Sequence, residues 1–176
     1  MSALSVLYIV LPILAVSFCH ALEVVFTARR WASHHSASSD EAHQSLVNIL
    51  FRLSGMNMSA LVIAAVVGFL AVLLSTAALF AGGLWAELVW TTVFMAYSVC
   101  TLINIVRAVT LKGYVPGLVT SIISVPLIAY TAYSLSLVWP WWEMLLFAIL
   151  GLVLALANLY FAQRLGQRQT SKSTKN

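Results

Sequence analysis

Five long apolar stretches dominate the chain, and short polar connections or one longer polar segment separate them. An α-helix rises 1.5 Å per residue, so about 20 apolar residues suffice to cross the hydrocarbon core of a membrane. The predicted spans cover about 3–26, 58–82, 84–108, 116–138 and 144–163. We therefore predict an all-α fold, a polytopic membrane bundle of five transmembrane helices that forms a single domain over residues 1–164.

The segments outside the five spans are polar. Ser38 to Glu41 has the spacing of a capping box, and large apolar residues then recur at i, i+3, i+4 and i+7, at Leu46, Ile49, Leu50 and Leu53. This pattern predicts one interfacial amphipathic helix over about 39–54. Residues 165–176 are polar and basic, which predicts a disordered tail that can touch anionic lipid.

Composition agrees with the hydropathy pattern. Of 176 residues, 62% are apolar and only 8% are charged, whereas a soluble domain carries about 25% charged residues. The chain is therefore predicted to be an integral membrane protein. Its net charge of +4 is not interleaved with aromatic residues in a basic groove, so nucleic acid is not an expected partner.

The basic residues predict the orientation. All nine follow the first, third or fifth span, at Arg29, Arg30, Arg52, Arg107, Lys112, Arg164, Arg168, Lys172 and Lys175. Since positive residues stay on the cytoplasmic side, the N-terminus should be outside and the C-terminus in the cytoplasm. For a bacterial protein this means a multi-pass protein of the inner membrane with a periplasmic N-terminus.

Two spans carry small residues at helical spacing. The second has Ala64, Gly68, Ala71, Ser75, Ala78 and Gly82, and the fifth has Ala148, Gly151, Ala155, Asn158 and Ala162. Small residues let helix backbones approach closely in lipid. We predict that these two spans pack antiparallel along their seams.

The candidate site lies near the end of the first span. His20 and Glu23 are one turn apart, so they share a helix face, and ionisable groups are costly in hydrocarbon unless they are paired or turned inward. His20 lies about 9 Å inside the cytoplasmic boundary of its span. The predicted site has His20 and Glu23 as catalytic residues and a binding set from other spans, namely Tyr97, Asn104, Arg107, Thr120, Ser124 and Asn158.

Specific contacts are expected within this set. Asn104 should lie in or near contact with the pair, and Thr120 and Ser124 should supply hydrogen bonds from the fourth span. Arg107 should be close enough to hold Glu23 charged.

Three interpretations of the polar cluster remain open. It can be a structural hydrogen-bond cluster between helices, a cavity for a lipid-like or small polar ligand, or a metal site. A histidine with one carboxylate is only half of a metal shell, and no second histidine lies inside a span. No metal or cofactor is therefore predicted.

Two motifs resemble a known family. His20-Ala-Leu-Glu23 resembles the start of the motif of the bacterial HXXEE membrane proteins, and Tyr114 to Thr120 followed by Pro126-Leu resembles its second landmark, with Asn104 upstream. The chain departs from that pattern at Val24, which replaces the second glutamate, and at Arg107, where the pattern has a histidine. The resemblance implies a polytopic membrane fold and no established activity.

Three functions are compatible with these features. The first is a membrane-embedded acid/base enzyme or binder for a lipid-like molecule that enters from the inner leaflet, since histidine transfers protons near neutral pH and a carboxylate can orient it. The alternatives are a non-enzymatic accessory or assembly subunit of a membrane complex and a small proton-coupled transporter. Membrane lipid is the expected partner, and a homo-oligomer or a partner membrane subunit stays open.

Overall fold

Five α-helices form the fold. The computed structural model describes residues 3–35, 58–110 and 112–173. The helices are α1 (Ala3–His35), α2 (Met58–Ala81), α3 (Leu84–Thr110), α4 (Leu118–Ser136) and α5 (Trp141–Ser173). Each contains a segment long and apolar enough to cross a membrane, namely Tyr8–Ala28, Ser59–Ala81, Leu84–Thr110, Leu118–Ser136 and Trp141–Leu165. The all-α architecture with five candidate spans agrees with the prediction, while the interfacial helix predicted at 39–54 lies outside the described residues.

Two helices extend beyond their predicted spans. Helix α1 continues through Arg29 and Arg30 to His35, beyond the predicted end of its span at residue 26. Helix α5 continues to Ser173, so most of the tail that was expected to be disordered is helical. The physical reason is that propagation of an existing helix is far easier than its nucleation, and Arg, Gln and Lys are good helix formers.

The helices form a closed ring with one extra contact across it. Helix α5 packs along α2 and α3, α1 packs along α2 and α4, and α3 also packs along α4 and α2. The order around the ring is therefore α1, α2, α5, α3, α4. Helices α1 and α3 are not among the closely packed pairs in the described residues, so side chains bridge the space between them.

An apolar cluster fills one end of the ring. It combines the start of α1, the end of α2, the start of α3 and the end of α4 through Ile9, Val10, Ile13, Val72, Trp90, Phe94 and Leu135. The rings of Trp90 and Phe94 stack with centroids 5.5 Å apart. The hydrogen-bonded residues His20, Asn104 and Thr120 lie toward the opposite ends of their helices.

The small residues of α5 contact two helices, α2 and α3, rather than α2 alone. Ala60 and Ala64 of α2 pack against Ala162 of α5, and the amide Nδ2 of Asn158 donates to the carbonyl of Ala64 at 2.9 Å. Gly151 instead faces α3, where an added Cβ would lie 2.6 Å from the backbone nitrogen of Ala96. Helix α5 thus lies in the groove between α2 and α3. The sequence predicted its antiparallel contact with α2 but not its contact with α3.

Candidate functional site

The site is built on the start of α4, which lacks a capping side chain of its own. Gly117 is the N-cap residue, with φ +87 and no side-chain hydrogen bond to the helix. The first backbone N–H groups of a helix have no intrahelical acceptor. The acceptors for the N–H groups of Val119 and Thr120 must therefore come from elsewhere in the fold.

Glu23 of α1 provides this cap. Its Oε1 accepts from the N–H of Val119 at 3.1 Å and from the hydroxyl of Tyr114 at 2.7 Å. Its Oε2 accepts from the N–H of Thr120 at 2.8 Å and from the hydroxyl of the same residue at 2.6 Å. The helix N-terminus carries a partial positive charge, so these four donors stabilise the carboxylate without a cation.

Arg107, which was expected to lie close enough to hold Glu23 charged, is not among the groups that bind its carboxylate. The carboxylate is held by the four donors of α4 and Tyr114, and across the described ranges no hydrogen bond or ion pair joins it to Arg107. The reason is geometric, because the start of α4 presents two fixed N–H groups and a hydroxyl to the carboxylate. Arg107 lies partly buried in the last turn of α3, one turn beyond Asn104.

His20 lies where α1, α3 and α4 meet. Its Nδ1 is 2.9 Å from Oγ1 of Thr120, and its Nε2 is 3.5 Å from the amide nitrogen of Asn104. Its ring stands edge-on to Tyr97, with centroids 6.2 Å apart. The other side of the ring lies against Gly117, where an added Cβ would be only 2.5 Å from Cε1. Glycine is therefore required at this position for two reasons, the positive φ and the contact with the imidazole.

The hydrogen bonds indicate the tautomer of His20. The single hydroxyl proton of Thr120 is donated to Oε2 of Glu23 at 2.6 Å, so toward His20 the oxygen of Thr120 must accept. The imidazole proton is then on Nδ1, and Nε2 carries the lone pair. Asn104 donates to Nε2 at 3.5 Å, a distance at the weak limit for hydrogen bonds, so this lone pair is only weakly satisfied.

A second pair of hydroxyl groups continues the polar surface along α4. Ser124 donates to the carbonyl of Thr120 at 2.6 Å, so the hydroxyl of Tyr97 donates to Ser124 across 2.8 Å. Ser121 is fully buried on the same helix, and its hydroxyl has no hydrogen-bond partner among the described residues. Helix α4 therefore carries one buried hydroxyl to which no described residue is hydrogen-bonded.

The structure brings most of the predicted site residues together. Hydrogen bonds or ring contacts connect six of them, namely His20, Glu23, Tyr97, Asn104, Thr120 and Ser124. Asn158 does not join them, since it bonds to Ala64 between α2 and α5. Two contributors were not predicted, Tyr114 and Gly117. The sequence placed both in the motif that resembles the second landmark of the family, but it did not indicate that this segment contacts α1.

Tyr114 lies in the connection between α3 and α4, outside the spanning segments. Partial burial raises the pKa of its hydroxyl above the ordinary value of 10.0, and the Glu23 carboxylate raises it further, against a lowering contribution from Thr27. Tyr114 therefore keeps its proton throughout the neutral range. It acts as a donor to Glu23 and not as a second negative charge.

The described residues contain no group of three histidine, cysteine, aspartate or glutamate side chains that could hold a metal ion. The only ionisable groups in the hydrogen-bonded cluster are His20, Glu23, Tyr97 and Tyr114. The arrangement can accept a hydrogen bond or a proton at Nε2 of His20, and it can hold the imidazole in one orientation while doing so.

Comparison with known proteins places the chain in a family. A family model described as a protein of unknown function with HXXEE motif matches residues 11–131, and this range contains every residue of the hydrogen-bonded cluster. No curated protein and no solved structure matches the chain. At the position of the second glutamate, Val24 is buried against Gly117. The match covers more than half of the sequence, and the chain therefore belongs to the HXXEE family.

Proposed function

We propose that this multi-span membrane protein binds a lipid-like molecule at His20 and acts as a binder or acid/base enzyme for it. The observation that carries the proposal is the state of the imidazole. Nδ1 is fixed by Thr120 at 2.9 Å, whereas Nε2 has only a 3.5 Å contact to Asn104. A ligand that presents an O–H or N–H group to Nε2 would make a shorter hydrogen bond there.

The chemistry of the cluster suits proton transfer. An imidazole accepts and returns protons near neutral pH. Glu23 acts on it through Thr120, much as a buried carboxylate holds the histidine of a Ser-His-Asp triad in one tautomer and orientation. In this proposal Glu23 acts on His20 through Thr120, and His20 is the group that contacts the ligand.

The arrangement of helices supports entry from the membrane. Helices α1 and α3 are joined through the side chains of His20, Asn104 and Tyr97 rather than by close packing. An amphiphile that enters between them can keep its tail in lipid while its head group reaches Nε2. Arg107, one turn beyond Asn104, would lie near a negative part of such a head group.

A structural role for Glu23 supports the second candidate, a non-enzymatic accessory or assembly subunit. All four contacts of the carboxylate lie within the chain and join α1 to the start of α4. In that case the cluster fastens two helices, and partners bind elsewhere. A small proton-coupled transporter is the remaining alternative, and it would use the same imidazole.

Substitution of His20 by glutamine tests the proposal. We expect the amphiphile that copurifies with the parent to be lost or at least about tenfold weaker, as one hydrogen bond is worth roughly 1.4 kcal/mol. Native mass spectrometry of the detergent-solubilised proteins measures the bound species, and thermal melting shows whether the fold persists.

The matched control is Ser134→Ala, which removes a hydroxyl that bonds only to its own helix, at the carbonyl of Tyr130. This variant should keep the bound amphiphile. If the His20 variant retains the same species at the same occupancy, or if the parent carries none, the binding proposal is wrong and the accessory role is favoured.

We further propose that the end of the bundle with the Glu23 cap faces the cytoplasm. All nine basic residues support this orientation, because positive residues stay on the cytoplasmic side. In a background with Cys19 and Cys100 replaced by alanine, a cysteine at Ser173 should react with an impermeant thiol reagent only after the cells are opened. A cysteine at Leu84, at the start of α3, should react in intact cells. The reverse pattern would show that the bundle is inverted.

A further inference from the structure

We infer that Thr120 and Glu23 form a proton relay for His20, which makes the site selective for an amphiphile with a hydroxyl or other protic head group. The inference rests on the proposed function, because it assigns Nε2 of His20 to the ligand. Beyond that function, it assigns a role to Thr120 and a route for the proton.

The relay consists of two short hydrogen bonds in sequence. Nδ1 of His20 lies 2.9 Å from Oγ1 of Thr120, and that oxygen lies 2.6 Å from Oε2 of Glu23. Both distances fall within the reach of direct proton transfer, about 2.6–3.2 Å. The other carboxylate oxygen of Glu23 is 2.7 Å from the hydroxyl of Tyr114. Tyr114 is 40% exposed, so the outer end of the relay is close to the protein surface.

Thr120 is held in place from two sides. Its backbone N–H donates to the same Oε2 that accepts from its hydroxyl. The alternative acceptor for that hydroxyl is the carbonyl of Gly117, at a longer 3.2 Å. The shorter contact is with a charged acceptor, which forms the stronger hydrogen bond. The threonine proton therefore lies toward Glu23, and its oxygen faces the imidazole as an acceptor.

The transfer can be written with every proton accounted for. The ligand gives one proton to Nε2 of His20, while the Nδ1 proton moves to Oγ1 of Thr120 and the Thr120 proton moves to Oε2 of Glu23. The imidazole stays neutral with its proton now on Nε2, the ligand keeps the electron pair as its conjugate base, and Glu23 becomes a carboxylic acid. The reverse sequence returns the proton, so the relay can serve as base and then as acid.

The direction of the relay determines the ligand chemistry. Because Nε2 carries a lone pair, it needs a partner with a hydrogen to donate. An anionic head group without a proton, such as a phosphodiester, has no hydrogen to donate. Its oxygen lone pairs would be repelled by the lone pair of Nε2. A hydroxyl group can donate a hydrogen bond to Nε2. The amide of Asn104, which lies beside Nε2, can orient this hydroxyl by a hydrogen bond of its own.

Nitrogen NMR of the histidine rings tests this inference without an identified ligand. The probe is ¹⁵N-histidine in the full-length protein in nanodiscs, and the signal of His20 is assigned by its absence in His20→Gln. In the parent we expect the ring proton on Nδ1. In Thr120→Val the ring loses its contact at 2.9 Å and keeps only the backbone of Gly117 on that side. Since the Asn104 amide can turn its oxygen to Nε2–H, the proton should move to Nε2. Thr120→Ser should restore the parent tautomer.

The rate of proton exchange between the His20 ring and water gives a second measurement. Loss of a positioned proton-transfer group typically costs at least about 100-fold, so exchange in Thr120→Val should be slower by that order, and Thr120→Ser should recover it. Ser134→Ala, on the same helix, should change neither tautomer nor exchange. A purely structural threonine would not change the exchange rate in this way.

The outcomes distinguish the relay from the proposed function. A ring proton on Nε2 in the parent, or an unchanged tautomer in Thr120→Val, would overturn the relay even if an amphiphile is bound. If Thr120→Val does not fold, the parent tautomer and the serine variant still decide. The relay can also hold without the ligand. This would be the result if the parent has its proton on Nδ1 and exchanges fast, while His20→Gln loses no bound amphiphile.

Discussion

Replacing Gly151 with leucine is expected to destabilise the bundle by roughly 3 kcal/mol or more, at the upper end of the range for overpacking. An added Cβ at this position would lie 2.6 Å from the backbone nitrogen of Ala96 and 2.9 Å from the backbone carbon of Met95. These are main-chain atoms of α3, so they cannot move aside unless the whole helix shifts. Thermal melting in detergent measures the effect, and even Gly151→Ala should melt well below the parent.

Gly68→Ala is the matched control for this substitution. Gly68 also belongs to a small-residue seam, but an added Cβ there would lie 3.8 Å from Nδ2 of Asn158, which is an ordinary contact. Since alanine is favoured over glycine within a helix by about 1 kcal/mol, this variant should melt at or above the parent temperature. Equal melting of Gly151→Ala and the parent would mean that α5 does not approach α3 as closely as the structure has it.

Gly117→Ala should damage both the fold and the candidate site. The left-handed conformation of this residue costs an alanine about 1–2 kcal/mol, and its Cβ would be 2.5 Å from Cε1 of His20. The imidazole is at the end of its side chain and could in principle rotate away from the new Cβ. Its hydrogen bond to Thr120, however, holds it in place. We therefore expect a lower melting temperature together with loss of the ring orientation.

A double variant separates the two causes. Gly117→Ala combined with His20→Ala removes the steric contact but keeps the unfavourable φ of residue 117. The destabilisation of the pair should thus be smaller than the sum of the two single effects, by about 0.5 kcal/mol or more, as for residues in direct contact. Strict additivity in melting or chemical unfolding would contradict the packing of His20 on Gly117.

The spans were predictable because lipid imposes a simple requirement on each helix separately. A segment that crosses the membrane must be long, apolar and internally hydrogen-bonded, and all three properties can be judged from local sequence. The helix ends were less predictable. Arg29 and Arg30 are polar, yet the backbone of α1 continues to His35, because helical structure outside the membrane costs little once the span has formed.

The site was predictable in part for a similar reason. His20 and Glu23 share a face by spacing alone, and the expectation that they turn inward follows from the cost of charge in hydrocarbon. The partner of Glu23 was not predictable in this way. A cation was expected from Arg107, whereas the actual partner is the start of α4, which follows a glycine that cannot cap its own helix. That partner depends on how α1 and α4 meet in space, which no local pattern encodes.

The cap that α1 provides for α4 also affects how the chain is made. Glu23 and Thr120 are 97 residues apart, so a ribosome releases the first helix long before its partner exists. During that interval the carboxylate has none of the four donors that hold it in the finished protein. A chain that stops after α3 therefore keeps a Glu23 carboxylate that lacks all four of these protein donors. Arrival of the fourth helix completes that contact, so finished and unfinished copies differ in the protein donors that reach Glu23.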